Sequence, residues 1–197
     1  MKDPCLKALV NILLQSNIEN KITDILNNVF GTGSSINLYF QEDYTITKDA
    51  NTIPYVIQGT NTLTKIVTNI NPNNFDPNAS KEYKTAVIMH EIIHAYLDVN
   101  PSVLSNMTQH SYMLENYIDI LSGSLQNFFP NMTTDQATSL ALYGLGPDVI
   151  NSTAFADALK KYGFDNNGGP TNYARYAQEF EFGGLGEICN SDNSKGK

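Results

Sequence analysis

One segment of this chain leaves a fold little freedom. Between residues 80 and 98, Tyr83, Ala86, Val87, Ile88, Met89, Ile92, Ile93, Ala95, Tyr96 and Leu97 recur at helical spacing. Set on a wheel at about 100° per residue, they point in nearly every direction. A helix that is apolar all round belongs in an interior, so the rest of the chain must wrap it. Its last turns carry a single polar stripe, formed by His90, Glu91 and His94. Each such group, buried without a partner, costs roughly 1–3 kcal/mol. A bound metal ion removes that difficulty.

The stripe is an HExxH motif, His90-Glu91-Ile92-Ile93-His94. Residues i and i+4 share one helical face, so the two imidazoles can grip one tetrahedral Zn²⁺. Glu91 lies about 100° further round, where it can act as general base on a water that the ion activates. A third protein ligand is needed. A metzincin continuation would place Gly and His where the chain has Leu97 and Asn100, which excludes that class. The chain has 3 His, and the one left over is His110. Its competitor is Glu115, which with Asp119 imitates the ExxxD pairing of gluzincins. On a helix spanning 109–127, Met113, Leu114, Tyr117 and Leu121 share the side of His110, whereas Glu115 and Asp119 fall opposite. His110 is therefore favoured as third ligand, and Glu115 and Asp119 read as a solvated face.

The surroundings read as α+β, in one domain spanning 1–197 whose sheet lies before residue 98 and whose remainder is helical. Helices are expected over 6–14, 18–30, 80–98, 109–127, 133–142, 153–161 and 171–180, with Gly31–Gly33 stopping the second and Gly168-Gly169-Pro170 preceding the last. Strands are expected at Ile36–Phe40, Ile53–Ile57 and Leu63–Ile70, with turn residues Gly59 and Asn61 between the last two. Pro54 demotes the middle run to an edge strand or an irregular arm. The clusters Tyr143-Gly-Leu-Gly146-Pro147 and Phe182-Gly-Gly-Leu-Gly186 read as turns, not phosphate loops. Cys5 and Cys189 form a disulfide or stand as two thiols; their spacing does not decide. Asn-x-Ser/Thr triplets at Asn78, Asn106, Asn131 and Asn151 are what chance gives in so Asn-rich a chain.

Charge removes several partner classes. The 197 residues carry 12 Lys+Arg against 20 Asp+Glu, a net −8 that repels nucleic-acid phosphates and anionic membranes. No run is long and apolar enough for a membrane span, and no leader segment is expected. The acidic, Asn/Thr-rich and Lys-poor composition leans towards a site outside the cytoplasm.

The stretch Met89-His-Glu-Ile-Ile-His-Ala-Tyr-Leu97 resembles the active-site helix of SprT-like metallopeptidases. That zincin family reads HExxHAYL here and takes its third zinc ligand from a later His. His90, Glu91, His94 and His110 match those positions, and the resemblance covers about residues 83–125. Gln109-His110-Ser111 departs from the Gly-His-Gly-like turn of the family. The zinc ribbon and basic segments of its nuclear members are also missing, so a DNA-repair role is not carried over. The match looks like an uncharacterised bacterial branch.

The resemblance implies a zincin-like fold, with a small twisted sheet packed on the active-site helix and an edge strand bordering the cleft. Either Ile36–Gln41 or Leu63–Ile70 would be that strand, along which a peptide or protein substrate binds extended. Zn²⁺ would sit on His90, His94 and His110, with Glu91 catalytic. Tyr112, Tyr117 and Tyr143 are candidate oxyanion donors. Asp98, one turn past His94, is a candidate for orienting a ligand imidazole. The implied function is zinc-dependent hydrolysis of peptide bonds. The alternative is a non-catalytic zincin-fold binding module of a secreted or surface protein.

Overall fold

The computed structural model describes residues 1–15, 21–60, 62–164 and 172–189. The expected helix start at Ile18, the turn residue Asn61, the Gly168–Pro170 turn and residue 171 lie outside them. The chain is α+β. Helices α1 (Pro4–Gln15) and α2 (Lys21–Phe30) precede strands β1 (Asn37–Glu42), β2 (Ala50–Val56) and β3 (Leu63–Ile70). Helix α3 (Lys81–Val99) and a 3₁₀ turn at Pro101–Leu104 follow. Then come α4 (Gln109–Asn116), α5 (Ile118–Phe128), α6 (Thr134–Tyr143), α7 (Pro147–Ile150), α8 (Thr153–Lys161) and α9 (Asn172–Glu181).

Helix α3 is the hub that its apolar circumference requires. Ser80 starts it, the hydroxyl accepting a hydrogen bond from the Tyr83 N–H. Ile88, Met89, Ile92, Ile93, Ala95 and Leu97 are all 0% exposed. Around them pack β2 and β3 on one side, α1 and α2 on another, and α5, α6 and α9 on the rest. Ser80 also ends the Asn78 triplet, as Thr108 and Thr133 end those at Asn106 and Asn131. All three are helix N-caps, so the capping hydroxyl, not chance alone, accounts for their place.

The sheet runs β1-β3-β2, with β1 parallel and β2 antiparallel to β3. Leu63–Ile70 is therefore the central strand, its second half wholly buried. It cannot border a cleft with a free edge. Ile36–Gln41, as β1, is an edge on the far side of β3 from β2, and β2 is the strand beside α3 that borders the cleft. Both expected candidates are thus displaced by β2. Of the two readings of the Pro54 run, the edge strand is the one found: proline lacks an N–H to donate, which an edge position tolerates. Among the described residues, the one strand that β2 pairs with is β3.

The helix expected over 109–127 is two helices that meet at Tyr117, whose φ of −122° lies outside the helical range. The break keeps Met113, Leu114, Ile118, Leu121 and Leu125 all in the core. Cys5 and Cys189 form a disulfide with a Cα–Cα distance of 5.8 Å, tying α1 to the segment after α9. That segment crosses the start of α3, where Ser80 pairs with Ile188 and the Lys81 N–H donates to the Glu187 carbonyl at 2.7 Å. Among the described residues, no helix is long and apolar enough to cross a membrane.

Candidate metal centre

Two helices supply three imidazoles. His90 and His94 stand one turn apart on α3, with ring centroids 4.6 Å apart and their Nε2 atoms at 2.9 Å. Thr108 caps α4 through the Ser111 N–H, which puts His110 in the first turn of that helix. Its ring centroid lies 5.4 Å from that of His90 and 5.0 Å from that of His94. One ligand atom from each of the three lies within 4.8 Å of the others, so the group can hold a metal ion.

Hydrogen bonds decide which nitrogen each ring offers. The Asp98 carboxylate can only accept, so it takes the Gln109 Nε2–H at 2.7 Å. That bond turns the Gln109 Oε1 towards His94 Nδ1, 2.5 Å away. The amide oxygen also can only accept, hence Nδ1 carries the proton and Nε2 a lone pair. His110 Nδ1 likewise donates to Asp148 Oδ1 at 3.1 Å, and Thr108 donates to the other Asp148 oxygen at 3.0 Å. His94 and His110 thus both direct Nε2 lone pairs at a shared centre. His90 is buried, and among the described residues its Nδ1 has no hydrogen-bond partner.

Burial favours the same state. Burial, reinforced by His94 and His110, holds His90 well below the ordinary histidine range. Burial also lowers His110, against the pull of Asp148. Burial that disfavours the protonated ring in His90 and His110 suits a metal ion, which binds a deprotonated imidazole nitrogen.

Glu91 stands beside the rings, 7% exposed. Burial raises its carboxyl above the usual range, opposed in part by His94 and by the Thr52 hydroxyl. Thr52 projects from β2 and donates to Glu91 Oε2 at 2.7 Å, so the edge strand positions the acid. The whole group lines a cavity of about 540 Å³. Its far wall is the turn between α6 and α7. A Cβ on Gly144 would lie 3.1 Å from His90 Nδ1, and one on Gly146 would lie 2.7 Å from both His110 Nδ1 and Asp148 Oδ1. The Tyr143–Pro147 cluster is therefore a close-packed wall against two of the imidazoles, not merely a turn.

His90, Glu91, His94 and His110 come together as the spacing suggests. Glu115 and Asp119 do not join them: both are exposed, and Asp119 pairs with Lys161 at 3.2 Å. Asp98 reaches a ligand imidazole, though through Gln109 and not directly. Among the candidate oxyanion donors, the Tyr112 and Tyr117 rings pack together at 6.1 Å, away from the cavity. Tyr143 lines it, but its hydroxyl donates to Glu181 at 2.9 Å and is pushed up to about 12 by burial and that carboxylate. Sequence reasoning missed Thr52, Gln109, Asp148, Gly144 and Gly146. Only Gln109, next to His110, and the paired glycines left any trace to follow. Comparison of the chain with protein-family models, with curated proteins and with solved structures finds no match.

Proposed function

We propose that this chain is a zinc-dependent metallopeptidase of the SprT-like, zincin kind, cleaving an extended peptide or protein substrate. One observation carries the reading: three clustered imidazoles, two of them with Nε2 lone pairs fixed by their hydrogen bonds, share a single cleft with a buried carboxylate. When bound, Zn²⁺ supplies Lewis acidity that polarises a peptide carbonyl and eases deprotonation of a water. His90, His94 and His110 would hold it, three protein ligands being the number that catalytic zinc sites use. Copper, iron and nickel also accept imidazole, and metal analysis distinguishes them.

Glu91 takes the proton of the attacking water and later gives it to the leaving amine. Burial raises its proton affinity, the direction a base working near neutrality needs. Thr52 holds one carboxylate oxygen and restrains its swing. The open edge of β2 offers backbone groups to an extended peptide, which supports strand addition as the binding mode. The Cys5–Cys189 disulfide supports an oxidising compartment, hence a secreted or surface protein.

A buried acid disfavours the non-catalytic module, because a purely structural metal has no use for a carboxylate that burial destabilises. The test is zinc-loaded protein against a peptide library, with and without chelator, beside Glu91→Gln. The variant is expected to keep stoichiometric zinc and lose turnover by about 10²–10⁴-fold or more. Undiminished hydrolysis by the variant would overturn the mechanism. Bound zinc without chelator-sensitive cleavage by the wild type would favour the module.

A further inference from the structure

We infer that Gln109 is a positioning residue: its amide relays the polarity of the Asp98 carboxylate to His94 and so makes His94 Nε2 a metal donor. The inference rests on the metal-site reading above.

The relay has a direction. At one end, Asp98 Oδ1 has no proton to give and accepts from Gln109 Nε2 at 2.7 Å. At the other, Gln109 Oε1 faces His94 Nδ1 at 2.5 Å. Rotating the amide by half a turn would set its N–H against the imidazole. His94 would then accept at Nδ1, move its proton to Nε2 and point an N–H at the place a metal ion needs a lone pair. Among the described residues, the Asp98 carboxylate is the group that holds the amide against that rotation. Asp98 and His94 both belong to α3, while Gln109 is the first residue of α4 and adjoins His110. The same amide therefore ties the two ligand-bearing helices together at the site. The two other imidazoles are held differently: His110 by a carboxylate directly, His90 by packing against Gly144.

The test has two readouts. Long-range ¹H–¹⁵N NMR of the metal-free protein reports the His94 tautomer, independently of any metal. Competition with a chromophoric chelator reports zinc affinity. In the wild type, His94 is expected as the Nδ1–H tautomer. Gln109→Ala is expected to mix the tautomers and weaken zinc by roughly 10–100-fold. Gln109→Glu alone, isosteric with the native residue, places two carboxylates face to face and is expected to weaken zinc as well. Adding Asp98→Asn restores the direction: the new amide donates to the carboxylate at 109, which accepts from His94. The double variant is expected to regain both the tautomer and the affinity.

Unchanged tautomer and affinity in a folded Gln109→Ala protein would overturn the relay. So would a double variant that stays as weak as Gln109→Glu, since that assigns Gln109 a packing role only. A wild type that binds no zinc, yet shows the expected tautomers, would sink the metal reading and leave the relay standing.

Discussion

The stretch from Gln109 to Phe128 has two sides, and each carries groups able to bind a metal. Inward, Gln109 and His110 meet α3, with Asp148 and Asp98 accepting their protons. Outward, Glu115 and Asp119 face solvent, and Asp119 spends its charge on Lys161. As isolated ligands, the carboxylates are no worse than an imidazole. What separates the sides is the surrounding shell. The inner groups are partly desolvated, fixed in tautomer and brought beside two more histidines, whereas the outer groups are hydrated and have no such neighbours among the described residues. Ligand competence here belongs to the environment more than to the residue type.

Paired substitutions break this comparison most directly. His110→Ala is expected to weaken zinc by more than the roughly 10–100-fold attributable to an outer partner. Glu115→Ala should leave affinity unchanged and stability within about 0.5 kcal/mol. Chelator competition and thermal melts measure both, and a metal lost with Glu115 would reverse the assignment of the two sides. Next in size is Gly146→Ala, whose methyl group would press on His110 Nδ1 and Asp148 Oδ1 at 2.7 Å. Prying that bond apart should cost roughly 10–100-fold in zinc affinity. Gly144→Ala, at 3.1 Å from His90, should cost less, and equal losses would mean that the wall acts as a whole.

The smallest effects concern the metal-free protein. Glu91 has a folded carboxyl raised above its ordinary 4.5, so its contribution to stability is present at low pH and lost as pH rises through the raised value. At neutrality it is a burden, and Glu91→Gln should raise Tm by about 2–4 °C, equivalent to about 1 kcal/mol at this size. His90 and His110 have folded values below 6.5, so above that pH both states are neutral and no penalty applies. As pH falls below it, the unfolded chain takes up protons that the folded chain refuses, and stability drops. Glu91 opposes that drop. Between about pH 4.5 and 6.5 the pH slope should therefore be steeper in Glu91→Gln than in the wild type, and equal slopes would show that the acid is not buried as described.

Much of this was readable from residues alone because it is local. The period of 3.6 marks α3 as a buried helix and sets His90 and His94 on one face. The position of Met113, Leu114 and Leu121 relative to His110 marks which side of the next helices turns inward, even though the helix breaks at Tyr117. The composition and order of elements suffice for α+β. Pro54 marks the middle run as an edge strand, and it is one; that this edge, and not Ile36–Gln41 or Leu63–Ile70, borders the cleft depends on the strand order and on where α3 packs.

The residue pattern is enough to make α3 the central helix and to set His90 and His94 on one face, since both follow from spacing within a few turns. It favours His110 over Glu115 as the third ligand, and the packing of α4 on α3 brings that ring to the other two. What holds those imidazoles follows only from how distant elements meet. Thr52 meets Glu91 across 39 positions and His110 meets Asp148 across 38, distances over which no periodicity speaks. The closing of Cys5 on Cys189 across 184 residues is of the same kind. Contacts between distant elements depend on how whole helices and strands pack, and that packing is settled by the sum of many burials rather than by any one pattern.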